Sequence, residues 1–294
     1  MASAHTCPVE LVVLGTAQDG GAPQIGHDED PAWKNSKLRR TATSLGIIDR
    51  TAGKRWLFEA SPDMRDQLYR FDQAAPVERK APGLDGVFLT HAHMGHYVGL
   101  MFFGFESIGT RDLPVYAMPR MAQYLTDNGP WSQLVRYNNI KLTPLADRQT
   151  VDLGAIKVTP MVVPHRQEFS EVVGFHIDGP HKKVLFIPDI DSWEQWDALG
   201  VRIEDEIARV DVAYLDATFY ADGELPGRDM SKIPHPMIAH SMARFAALPA
   251  SERAKIRFIH LNSTNPARFP GSEARRKIEA GGYRVAEEME RVCL

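Results

Sequence analysis

The stretch Leu89-Thr90-His91-Ala92-His93-Met94-Gly95-His96 constrains this chain more than any other. It overlaps the apolar run Gly86-Val87-Phe88-Leu89, which has the character of a buried strand end. Alternate side chains of an extended segment project to one side, so His91 and His93 can grip one ion together. His96, one turn further on, can face a neighbouring ion. Imidazole suits Zn, Fe and Ni. Three of the chain's 11 histidines crowd into six positions directly after a strand, a density that ordinary surface or core-edge histidines do not explain.

Three further candidates close apolar runs. His165 follows Met161-Val162-Val163-Pro164, Asp189 follows Val184-Leu185-Phe186-Ile187-Pro188, and His260 follows Ile256-Arg257-Phe258-Ile259. A strand end gives the rigid placement that a metal site needs. A workable centre puts His91, His93 and His165 on a first ion and His96 and His260 on a second. Asp189 reaches both and is also the catalytic candidate that positions a water between them. Two ions about 3.5–4 Å apart can acidify and orient such a water.

Other polar residues have competing readings. Asp216, after Val212-Ala213-Tyr214-Leu215, suits an acceptor that orients a ligating histidine. His235 is the candidate general acid or substrate contact. It shares a Gly/Pro-rich segment with Asp229, where simple loop polarity is the alternative. His27 with Asp28 could form a metal pair, although residues 23–40 read as a long solvated loop. Asp63 could face the metals, but it lies in or near the first turn of a helix opened by Ser61-Pro62, where a carboxylate suits the helix dipole.

With 294 residues and 44% hydrophobic content the chain can bury a substantial core. A net charge of -4 and a pI near 6.3 point away from nucleic acid and anionic membranes. No apolar run approaches the roughly eighteen residues of a membrane span. The expected partner is a small-molecule substrate, with a homo-oligomer left open. The first ten residues lack the basic start and apolar centre of a signal peptide, which points to a cytoplasmic protein, an exported chain with its signal removed being the alternative. Cys7 and Cys293 read as two free thiols rather than a terminal staple.

Strands are predicted over 10–14, 43–48, 55–58, 114–117, 156–163, 172–177, 184–187, 210–215, 255–259 and 283–287. Helices are predicted to open at Ser61 and to cover 98–105, 119–126, 193–198, 204–208, 236–248 and 272–280. Residues 131–142 are ambiguous. The elements mix without the even rhythm of a Rossmann domain, and no repeat or linker interrupts them, which favours a single α/β domain over residues 1–294.

The ligand pattern resembles the metallo-β-lactamase superfamily. That resemblance implies an α/β (α+β) αββα sandwich of two mixed sheets flanked by helices, with metals at one edge. The family's His-x-His-x-Asp-His signature corresponds to His91, His93, Gly95 and His96, and its later ligands to His165, Asp189 and His260. Glycine replaces the signature's aspartate at 95, so the second ion is expected to be weakly held unless Asp19, His27 or Asp63 compensates. The chain is also similar to the coenzyme PQQ synthesis protein B branch. The similarity rests on Gly15-Thr16-Ala17 with Gly20-Gly21-Ala22-Pro23-Gln24, on Ala60-Ser61-Pro62-Asp63-Met64-Arg65, on Asp216-Ala217-Thr218-Phe219, on Gly227-Arg228-Asp229-Met230 and on His260-Leu261-Asn262-Ser263-Thr264-Asn265-Pro266. That branch carries a cysteine-rich knuckle after its Pro-Gln, whereas this chain has no cysteine between Cys7 and Cys293.

The resemblance implies a metallo-hydrolase holding two divalent ions, zinc first with iron or manganese as alternatives, and acting on an ester, lactone or phosphodiester. A metal-dependent oxygenase of PQQ biosynthesis, acting on a peptide-derived precursor, and a non-enzymatic metal-binding or ligand-binding protein are the alternatives.

Overall fold

The computed structural model describes residues 7–78 and 80–294. Residues 1–6, on which the reading of an absent leader partly rests, lie outside the described residues. The first sheet collects β1 (Val9–Gly15), β2 (Ser44–Asp49), β3 (Lys54–Phe58), β4 (Gly86–Phe88), β5 (Leu113–Ala117) and β6 (Ile140–Pro144). The second collects β7 (Val151–Asp152), β8 (Lys157–Val162), β9 (Val173–Asp178), β10 (Lys183–Ile187), β11 (Val212–Asp216), β12 (Ile256–Ile259) and β13 (Arg284–Val285). The last strand, β14 (Arg291–Cys293), returns to the first sheet beside β1, giving the orders β14-β1-β2-β3-β4-β5-β6 and β13-β12-β11-β10-β9-β8-β7. Each sheet is antiparallel towards one edge and parallel towards the other.

Strand alternation sorts the apolar residues into three layers. On β1, Leu11 and Val13 point between the sheets, where they meet Phe175, Val184 and Tyr214. Val12 and Leu14 point the other way, against Met64 and Phe71 of helix α1 (Met64–Ala74). On the far side Leu185, Ile187 and Leu215 are covered by Trp193, Trp196, Ile238 and Phe245. Both faces of the central strands are therefore buried, which is why those strands read as near-continuous apolar runs. Each fully buried aliphatic or aromatic side chain contributes roughly 1.5–3 kcal/mol. The result is the αββα sandwich expected from the resemblance.

An aromatic stack fixes the strands that lead to the histidine stretch. Phe58, Phe88 and Tyr116 stack at centroid separations of 4.8 and 4.2 Å across β3, β4 and β5. Phe175 of the second sheet meets Phe58 and Phe88 edge-on at 5.4 and 5.8 Å, so the two sheets are locked together three residues before His91.

Several local expectations change. The helix expected to open at Ser61 begins at Met64; Ser61 Oγ instead accepts from Asp63 N and donates to Gln67 Oε1. Residues Val98–Phe103 form a 3-10 helix. The ambiguous segment resolves into helix Trp131–Arg136 and β6. The short strands β7 and β14 were not anticipated.

The cysteines are a correction: Cys7 and Cys293 are joined in a disulfide. The reason is β14, which brings Cys293 opposite Glu10 on β1 and leaves the two Cα atoms 5.6 Å apart. The bridge closes a sequence separation of 286 residues. Cys293→Ser is therefore expected to cost roughly 2–5 kcal/mol, mainly by freeing the unfolded chain. Denaturant unfolding with and without reductant checks this, and an unchanged midpoint would mean that the ends are not joined in solution. Among the described residues no helix is long and apolar enough to cross a membrane.

Candidate metal centre

Six strand ends deliver the site. β4 runs out through Leu89-Thr90 into extended backbone at His93, and the single turn α2 (Met94–Tyr97) then swings His96 back towards His91. β8 leads to His165, β10 to Asp189, β11 to Asp216 and β12 to His260. Beyond β1, the backbone bonds Gln18 N to Leu261 O and Leu261 N to Thr16 O, both 2.9 Å, pin Asp19 beside His260. His260 itself adopts φ 66°, a left-handed conformation costing a β-carbon residue roughly 1–2 kcal/mol, and the strain aims its ring into the site.

The side chains gather into two groups with one shared member. His91 Nε2 lies 2.8 Å from His93 Nδ1, which lies 3.3 Å from His165 Nε2. Asp19 Oδ1 lies 3.1 Å from His96 Nε2 and 3.3 Å from His260 Nε2. Asp189 stands between the groups. Its Oδ2 is 3.0 Å from His96, 3.5 Å from His260 and 4.0 Å from His91, while its Oδ1 is 3.8 Å from His165. His91, His96, His165, His260 and Asp189 are buried, whereas the Asp19 side chain stays 33% exposed and opens the cluster outward.

The donor set fits a divalent cation. Neither ring nitrogen of His96, nor Asp189 Oδ2, finds a hydrogen-bond partner among the described residues although all are buried. Leaving buried polar atoms unpaired is costly, and lone pairs converging on common space remove that cost when they ligate an ion. Burial, reinforced by the neighbouring His96, holds His91 well below the usual histidine range, which favours the neutral ring that a metal needs. Burial lowers His93 likewise, helped by His165. For Asp189 burial pushes the other way, yet His260 and His96 outweigh it and hold the carboxyl well below its usual range. Burial likewise opposes ionisation of Asp19, and the neighbouring His260 and His96 rings outweigh it. His96 is held well above the ordinary value, the charges of Asp189 and Glu59 overcoming burial.

Gly95 explains the departure from the expected ligand pattern. A Cβ built there would lie 2.4 Å from Asp19 Cγ and 2.5 Å from Asp19 Cα. The carboxylate of Asp19 thus occupies the space that a side chain at 95 would fill. Of the three residues that could have compensated, the other two lie elsewhere. Asp63 Oδ2 accepts from Ala42 N, and His27 Nδ1 sits 2.7 Å from Ser263 Oγ at the rim of a cavity.

Supporting groups stand behind the rings. His165 Nδ1 meets Asp191 Oδ1 at 2.8 Å, His91 Nδ1 meets Thr90 Oγ1 at 2.8 Å, and His260 Nδ1 meets Thr218 Oγ1 at 3.0 Å. Such partners fix ring orientation. Asp216 holds this arrangement together: Oδ1 accepts from Thr218 Oγ1, and Oδ2 contacts His235 Nδ1 at 2.7 Å. His235 stands 3.8 Å from Asp189 Oδ1. Burial lowers its pKa, but Asp216 prevails and holds it at about 9. Asp229 pairs with Lys232 at 3.3 Å, at the surface.

Sequence reasoning missed Glu59, Thr90, Glu168, Asp191 and Thr218. Glu59 is wholly buried at φ 69° with Oε1 3.6 Å from His96 Nδ1, and Glu168 reaches His93 Nε2 at 3.3 Å. A usable signal existed for two of them: Asp191 and Thr218 each lie two residues beyond a strand-end carboxylate.

A family model described as "Beta-lactamase superfamily domain" matches residues 54–261. The chain belongs to the beta-lactamase superfamily. Within it, the chain is 26% identical to coenzyme PQQ synthesis protein B of Methylobacterium sp. (strain 4-46) over 314 aligned positions, covering 95% of this chain and 98% of the relative. Its counterpart in Xanthomonas axonopodis pv. citri (strain 306) is also 26% identical, over 308 positions and the same shares. Among solved structures of the superfamily, Zn2+-bound PqqB from Methylobacterium extorquens superimposes with a TM-score of 0.79 at 24% identity, over 97% of this chain and 100% of that one. A diphosphatase of the PhnP family gives 0.68 at 19% identity, over 97% and 98%. At these identities the superpositions establish the shared fold.

Proposed function

We propose that this protein is a metal-dependent hydrolase acting on an ester, lactone or phosphodiester of a small molecule. The observation that carries the reading is Asp189, a buried carboxylate that lies within reach of both groups of ligand atoms, Oδ2 near His96 and His91 and Oδ1 near His165. His91, His93 and His165 would hold one ion, and Asp19, His96 and His260 the other, with Asp189 common to both. Zinc suits this set of imidazoles and carboxylates, and the zinc-bound PqqB relative supports it. When bound, two such ions acidify and orient a water and stabilise the oxygens flanking a displacement.

The chain's own residues supply the rest. Thr90, Asp191 and Thr218 keep the ligating rings in register. His235, steadied by Asp216 and facing the adjacent cavity, is positioned to hand a proton to a leaving oxygen, a contribution of about 10²–10⁴-fold. Asp19 supplies the second group with the carboxylate that glycine at 95 cannot, which argues against a weak second ion. The overall charge argues against nucleic acid or membrane partners, and one domain over residues 1–294 is the simplest organisation. The disulfide supports the exported alternative over a cytoplasmic location, because such bonds persist in oxidising compartments.

One other reading has an observation in its favour. Similarity to coenzyme PQQ synthesis protein B over 95% of the chain supports a role in that synthesis, which as a second reading would be that of a metal-dependent oxygenase acting on a peptide-derived precursor. Turnover of bis(4-nitrophenyl) phosphate and 4-nitrophenyl acetate, measured with and without oxygen and chelator, separates the two. The hydrolase reading expects chelator-sensitive, oxygen-independent turnover, lowered at least about a hundredfold in His235→Gln with bound metal unchanged. Full activity after exhaustive chelation would overturn it.

A further inference from the structure

The cavity beside the ligand cluster has walls of unlike chemistry. Its volume is about 450 Å3, and Thr218 and His235 form the side that adjoins the cluster. Phe219, Leu225 and Ile233 supply apolar surface, while Arg166, Arg228 and Lys232 supply positive charge, and among the described residues no carboxylate lines the space. Arg166 is paired with Glu168 at 3.5 Å and Lys232 with Asp229 at 3.3 Å. Arg228 differs: among the described residues, no side-chain partner meets its guanidinium.

The backbone holds Arg228 in place even so. Gly227 adopts φ 76°, and Arg228 N donates to Leu225 O at 3.2 Å, closing a turn that presents the side chain at the cavity. A guanidinium offers a planar fork of donors matched to a carboxylate or phosphate. Arg228, beside two cations whose acidic partners stand outside the lining, makes the concavity locally positive in a chain whose net charge is -4.

We propose that this cavity binds its ligand through an anionic group, a carboxylate or a phosphate, gripped by Arg228 with help from Lys232 and Arg166. The apolar body of the ligand lies against Phe219 and Ile233. Under the hydrolase reading, on which the last step rests, the bond to be broken then points to the cluster beyond His235. The motif Gly227-Arg228-Asp229-Met230 thereby acquires a role: glycine makes the turn, arginine takes the anion, and Asp229 steadies Lys232.

Calorimetric titration with phenyl phosphate, phenylsuccinate and benzyl alcohol tests this on the protein as purified and after chelation. At least one anionic probe should bind about tenfold or more tighter than benzyl alcohol, and the tighter of the two identifies the head group. Arg228→Gln should weaken that binding about tenfold, Arg228→Lys less, and the double change with Lys232→Gln further still. Binding should survive chelation and fall with added salt. Circular dichroism of these surface variants should match the parent. Absence of anion binding, equal binding of the neutral probe, or binding lost on chelation yet untouched in the double variant would each overturn the proposal. Failure of the hydrolase reading would look different, with anion binding intact but no chelator-sensitive turnover.

Discussion

Asp189→Asn is expected to lower turnover of bis(4-nitrophenyl) phosphate by at least about 10²–10³-fold while changing its binding far less. The substitution is nearly isosteric, so the loss comes from charge and position rather than from volume. Among the described residues, Asp189 is the carboxylate that approaches His91 and His165 of the first group as well as His96 and His260 of the second. An amide halves its anionic reach and removes the negative charge that draws two cations to neighbouring positions. Interactions of this kind matter most where charge develops in the transition state. Metal analysis should show reduced occupancy of both positions in the variant, since both groups lose the shared ligand. A variant retaining near-parental turnover would reduce Asp189 to a polar residue ending a buried strand.

The second large effect concerns the pairing of Asp19 with Gly95. Asp19→Ala should weaken the second ion by about 10–100-fold or more, at least the loss typical when a mere supporting partner of a ligand is removed. The first ion, on His91, His93 and His165, should be held nearly as before. Adding a carboxylate at 95 alone should not strengthen binding, because its Cβ would collide with the Asp19 backbone at 2.5 Å. Gly95→Asp is therefore expected to displace Asp19 and weaken the second ion, contrary to what the superfamily pattern suggests. Asp19→Gly removes the side chain but leaves Cα 2.5 Å from that Cβ, so Asp19→Gly with Gly95→Asp should recover little of the lost affinity. Competitive titration against a chromophoric chelator reads all four proteins. Equal loss of both ions in Asp19→Ala would show that the two groups are not separate positions.

The contrast between these two residues shows what a sequence exposes. Asp189 was legible because it closes an apolar run, and the same signal located His91, His165 and His260. Long buried strands announce their ends, and two packed sheets with aligned ends bring those positions together. Asp19 was only one of three possible substitutes for the missing carboxylate. Its selection over His27 and Asp63 depends on the bonds between the loop after β1 and Leu261, contacts between segments some 241 residues apart. Glu59 was silent for a different reason. It precedes Ala-Ser-Pro in what reads as a loop, and only the fold reveals that it is fully buried behind His96. The disulfide was misread because β14 is three residues long and alternates with an exposed arginine, too little periodicity to register as a strand.

Crystallographic anomalous scattering from zinc-loaded protein, measured on both sides of the zinc absorption edge, tests the central claim most directly. Two peaks about 3.5–4 Å apart are predicted, one within reach of His91, His93 and His165, the other of Asp19, His96 and His260, with Asp189 touching both. A single peak at full loading, or peaks away from Asp189, would contradict the account.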